Sequence, residues 1–142
     1  MKALLVVAAA LAAAGCTMEE GPLMEPGSDC LRCHGGGGGG GEEEGGPAWS
    51  FAGTVYPGGK GVQGVTISVR DANGKTVSVR SNEAGNFYSA EKLQPPVTIW
   101  MSWGGAVRQM PALTGADVAR FGRCNACHRP GGDAEEYLAP PN

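Results

Sequence analysis

VTISVRDANGKTVSVR, from Val65 to Arg80, decides the fold. Two runs that alternate β-branched with polar residues flank Asp71-Ala72-Asn73-Gly74. A period of two sends successive side chains to opposite faces of a strand. The Asn-Gly pair tolerates the positive φ values that a tight turn between antiparallel strands demands. The stretch therefore reads as a β-hairpin.

Outward from it the same pattern recurs. WSFAGTVY (49–56), NFYSA (86–90), VTIWMSW (97–103) and AVRQM (106–110) are short alternating segments separated by Gly, Asn, Asp and Pro clusters. Turn signals at this spacing predict a mainly β protein, an antiparallel β-sandwich of six or seven short strands. In VTIWMSW, Val97, Ile99, Met101 and Trp103 share one face, read as the core. From Pro111 the period shifts. Thr114-Gly115-Ala116-Asp117 has capping-box form and predicts a short helix toward Cys124. At most one helical turn is expected around Ala134 to Leu138.

The middle segment, Phe51 to about Trp100, resembles the carboxypeptidase regulatory-like, transthyretin-like sandwich domain, through FAGTVYPGGKGVQGVTISVRDANGKTVSVRSNEAGNFY (51–88). The likeness rests on the Gly-x-Val opening strand, the Gly-Val-x-Ile-x-Val second strand, the Asp-x-x-Gly hairpin and Asn82 to Phe87 entering a later strand. It implies a structural or spacer module without chemistry of its own.

The first residues read differently. Met1 and Lys2 precede an uncharged apolar run from Ala3 to Ala14, the form of an export signal and too short for a stop-transfer helix. LAAAGC (11–16) resembles a bacterial lipoprotein box, which implies lipidation of Cys16 and a membrane anchor that does not span. Ala13 stands where leucine is favoured, and cleavage after an Ala-x-Ala is the competing reading. Thr17 lacks the aspartate that retains some lipoproteins at the inner membrane, which favours the outer one. The chain of 142 residues thus divides into a signal over 1–15, a tether with a first cysteine motif over 16–34 and a Gly/Glu-rich flexible linker over 35–47. The sandwich follows over 48–110, and a C-terminal segment with a second motif over 111–142.

The cysteines carry the chemistry. Of five, Cys16 belongs to the lipoprotein-like box, and the other four fall in CLRCH (30–34) and CNACH (124–128). Cys-x-x-Cys-His is the attachment signature of c-type haem. On a tight turn the two thiols reach two vinyl groups of one porphyrin, and the following imidazole points at the iron. Cys30 and Cys33 with His34, and Cys124 and Cys127 with His128, are therefore expected to hold two covalently attached haem c groups. A zinc ribbon would need far closer knuckles. Disulfides or a thioredoxin-like pair need no adjacent histidine twice. Through these two motifs the chain resembles a dihaem c-type cytochrome.

His34 and His128 are the only histidines, so no intrachain bis-histidine ligation is available. Beyond Met1 the methionines are Met18, Met24, Met101 and Met110. Met101 falls on the core face, and Met24 lacks apolar neighbours. Met110, just before Pro111, is the best distal ligand, and thioether ligation raises the reduction potential relative to two imidazoles. The glycine-rich linker, whose mean span is roughly 20 Å, leaves the first motif on a leash. Arg32, Arg123 and Arg129 are candidates for haem propionates, and Tyr137 with Leu138 for covering the second haem.

A net charge of −3 gives no reason to expect nucleic acid. No Ser-His-Asp set or paired carboxylates stand in a motif. NGKT (73–76) lacks the earlier glycine of a phosphate loop, since Val69 occupies that position. The reading is an exported electron carrier at the cell envelope. Its partners are redox proteins or other cytochromes, with haem-to-haem self-association possible. The alternatives are a haem peroxidase or haem sensor with an open axial site, and a structural or binding surface lipoprotein.

Overall fold

A computed structural model describes residues 21–35 and 48–142. The export signal, Cys16, Thr17, Met18 and the linker beyond Gly35 up to Pro47 lie outside the described residues.

The protein is mainly β, as the alternation requires. Its strands are β1 (Phe51–Thr54), β2 (Thr66–Arg70), β3 (Thr76–Arg80), β4 (Asn86–Ser89), β5 (Thr98–Trp103) and β6 (Ala106–Gln109). All pair antiparallel, in a two-stranded sheet β1-β4 and a four-stranded sheet β3-β2-β5-β6. The hairpin at Asp71 forms as its sequence demands. Gly74 takes φ 83°, and Asp71 Oδ1 accepts the backbone N–H groups of Asn73 and Lys75 at 2.9 and 2.8 Å.

Parity then builds the core. Ile67 and Val69 of β2 lie opposite Met101 and Ile99 of β5, and all four meet Phe51, Val55 and Phe87 from the small-sheet side. Each such side chain contributes roughly 1.5–3 kcal/mol on burial. On the opposite face of β2, Ser68 instead shares a hydroxyl hydrogen bond with Ser78, 2.8 Å away.

Two expectations need correction. Trp103 is 44% exposed rather than in the core. Pairing with β2 ends at Ser102, so Trp103 projects past it, beside the Gly104-Gly105 turn. The helix after Thr114, α2, is only Ala116–Ala119, and the Thr114 hydroxyl caps nothing. Gly115 occupies the N-cap with φ 56°, and the Thr114 carbonyl accepts the Asp117 N–H instead. The stretch from Ala134 to Leu138 is a turn without helix.

The C-terminal segment covers the free edge of β1. Ala52 bridges Arg123 and Val55 bridges Leu138, both parallel. Their hydrogen bonds are Ala52 N–H to Gly122 O and Tyr56 N–H to Leu138 O, each 2.9 Å. β1 is thus flanked by β4 on one side and by the second cysteine motif on the other. No helix among the described residues is long and apolar enough to cross a membrane.

Candidate functional site

The second motif is one helical turn, α3 (Cys124–Cys127), closed by the His128 N–H on Cys124 O at 2.9 Å. It sits directly on β1. Asn125, in a position the motif leaves free, is 1% exposed. Its Oδ1 accepts the Thr54 N–H at 2.6 Å and its Nδ2 donates to His128 O at 3.3 Å. One amide therefore fixes the turn to the strand and holds the backbone of the histidine. Gly53 makes the approach possible. A Cβ there would stand 2.7 Å from Cys124 Cβ and 2.8 Å from Phe87 Cζ.

The segment that carries the first motif docks on the same strand, at the same residue. The helix α1 (Leu31–His34) is closed by the His34 N–H on Cys30 O at 3.0 Å. Three residues before Cys30, the Gly27 N–H donates to Thr54 Oγ1 at 2.9 Å, and that hydroxyl donates to Asn86 Oδ1 at 2.8 Å. Asn86 Nδ2 donates in turn to the carbonyls of Met24 and Pro22. At Gly27, φ +87°, a Cβ would stand 3.1 Å from the rings of both Tyr56 and Tyr137.

These contacts correct the expectation of a leash. The tether lacks an apolar period, yet its carbonyls and one N–H are met by the side chains of Asn86 and Thr54. The sandwich does more than space the two motifs. Thr54 holds both motifs at once, and Asp29 and Arg123, each immediately before the first cysteine of its motif, form an ion pair. The sandwich gathers the two sites.

Cys124, His128 and Met110 line one cleft of about 190 Å³. Met101, Tyr137, Leu138 and Arg108 complete much of its wall. Sites that enclose an organic ligand hold roughly 300–1,000 Å³, so this cleft could cover only part of a porphyrin and would leave an edge in solvent. The donor set fits: a thiol, an imidazole and a thioether share an apolar cleft. Met110 is half-buried beyond β6, with its N–H on Ile99 O at 2.9 Å. Met101 is a core residue, as its parity predicts, and reaches the same cleft. Met24 is half-buried beside the first motif. Arg123 is engaged by Asp29, while Arg32 and Arg129 are exposed. Arg108 is the guanidinium that faces the cleft.

The thiols are not activated. Burial, with Asp29 and Glu25 adding to it, pushes the Cys30 thiol up to about 11. Burial and the neighbouring Cys30 push Cys124 up to about 12, and Cys127 is raised as well, chiefly by desolvation. A thioredoxin-like pair requires the opposite shift. Cys30, Cys124 and Cys127 are free. Among the described residues no three His, Cys, Asp or Glu side chains converge on a metal-sized point. Desolvation lowers the His128 pKa against the pull of Glu136, which favours the neutral imidazole a metal needs. His34 stacks on Trp49 with ring centroids 3.9 Å apart.

Sequence reasoning placed the cysteines, histidines and methionines but missed Thr54, Asn125, Gly53, Asp29 and Arg108. Of these, only the buried Asn125 carried a usable signal, its place inside a motif. No family model, curated protein or solved structure matches the chain.

Proposed function

We propose that this chain is an exported electron carrier of the bacterial cell envelope, lipid-anchored at the outer membrane, with two covalent haem c groups. In this reading Cys30, Cys33, Cys124 and Cys127 supply the thioethers, His34 and His128 the proximal imidazoles, Met110 the distal ligand of the second site and Cys16 the lipid attachment. The observation that carries it is the apolar cleft shared by Cys124, His128 and Met110. Bound haem supplies one-electron exchange at iron, while the protein supplies position, ligation and potential.

Each residue has a definable task. Asn125 holds the His128 carbonyl, Thr54 ties both turns to β1, and Arg108 offers a cation at the cleft for a propionate. Partial coverage suits exchange with a redox protein or another cytochrome at an exposed edge.

Optical and spin-state spectra of the haem-loaded protein in both oxidation states test the carrier reading. Two low-spin haems that cycle reversibly by one electron each are expected. A persistent five-coordinate haem that turns over peroxide would replace the carrier with the peroxidase.

A further inference from the structure

Imidazoles that bind metals almost always donate their other ring N–H to a carboxylate or carbonyl, which fixes the ring plane and raises the basicity of the ligand. His34 does not. Its Nδ1 is buried and has no hydrogen-bond partner among the described residues.

The ring is held by another device. Trp49 lies face to face with it, centroids 3.9 Å apart and planes at 21°. Tyr88 stacks on the far side of Trp49 at 4.3 Å and 11°. The stack is anchored at both ends. The Trp49 N–H donates to His34 O at 2.8 Å, and Tyr88 sits in β4 opposite Ala52 of β1. A planar ring pressed against a plane fixed to a sheet loses its freedom to rotate about the Cβ–Cγ bond, which is the freedom a second-shell hydrogen bond would otherwise remove.

We infer that Trp49, backed by Tyr88, is the positioning residue for the His34 imidazole and sets its plane by stacking in place of the missing hydrogen bond. This rests on the reading of His34 as a haem ligand. Stacking orients the ring without drawing on its N–H.

The test is proton NMR of the ferric, full-length protein with both haems attached, read at the ring-methyl resonances. Their order around a haem reports the orientation of the axial imidazole plane. Trp49→Leu is expected to reorder the methyl shifts of the haem at Cys30 and leave those of the haem at Cys124 in place. Trp49→Phe should restore the original order, and Tyr88→Leu should shift the same resonances by less. An unmoved pattern at the first haem in Trp49→Leu overturns the inference. If that variant disturbs both haems through misfolding, Tyr88→Leu decides: a shift confined to the first haem supports the stack, and none overturns it. Failure of the haem reading itself shows separately, as wild-type protein carrying no covalent haem.

Discussion

Asp29 and Arg123 form an ion pair between residues 94 positions apart, with Arg123 Nε 3.1 Å from Asp29 Oδ2 and Nη2 on the same oxygen. Each precedes the first cysteine of its motif, so the pair joins the starts of the two turns. The Arg123 side chain is 47% exposed, and a pair with one partner in solvent contributes about 0–1 kcal/mol. Arg123→Gln should accordingly lower the unfolding free energy by less than about 1 kcal/mol, measured by denaturant titration. A loss of several kcal/mol would show that the pair, rather than β1, holds the motifs together.

The attachment to β1 should cost more to break. Asn125→Ala strands the Thr54 N–H in the core, and an unsatisfied buried donor costs roughly 1–3 kcal/mol. The same titration should show that loss in Asn125→Ala. Equal stability of Asn125→Ala and wild type would remove the amide from its structural role.

Gly53→Ala tests the close approach of α3. The added methyl meets Cys124 Cβ at 2.7 Å and Phe87 at 2.8 Å, both parts of packed elements. Overpacking of this kind costs about 1–3 kcal/mol. The expected result is a lowered Tm together with a changed optical spectrum for the second haem only. A spectrum changed at both haems would mean that the strand, not the turn, had moved.

The hairpin and the strand set were open to reading because each follows from local chemistry. Asp71-Ala72-Asn73-Gly74 encodes its turn in four adjacent residues, and the alternation in β2 and β5 fixes which side chains face inward. The docking of residues 21–35 was not legible. It depends on Asn86 and Thr54, whose partners are backbone groups of a segment with no period, and hydrogen bonds to carbonyls leave no mark in a sequence. Trp103 failed for a related reason. Parity assigns a face but does not say where the neighbouring strand ends. In the candidate site, spacing gave the cysteines and histidines, whereas the convergence of Met110 with His128 needed the path of the chain beyond β6.

Met110 and Met101 should separate cleanly. Met101 is 9% exposed in the core, so Met101→Ala should cost about 2–5 kcal/mol while leaving both haems low-spin. Met110→Ala should do the reverse, with little loss of stability and one haem turned high-spin in the optical spectrum. An unchanged spectrum in Met110→Ala would retire it as a ligand.

Asp71 gives a pH dependence. Burial pushes its carboxyl up, but the backbone N–H groups of Gln94, Lys75 and Asn73 outweigh this and hold the pKa below its ordinary value. A depressed folded-state pKa stabilises above the unfolded value of about 3.9 and is lost as pH falls through the folded one. Asp71→Ala should therefore lower Tm at neutral pH, and the gap from wild type should narrow as pH drops below about 4. A gap that stays constant into acid would show that the hairpin does not depend on the ionised carboxylate.

The central claim is that both Cys-x-x-Cys-His turns carry haem. Intact-protein mass spectrometry after co-expression with haem-attachment machinery tests it most directly. The account predicts the peptide mass plus two covalent haems, falling to one when Cys124 and Cys127 are both replaced by alanine. A bare peptide mass in the wild-type protein would contradict it.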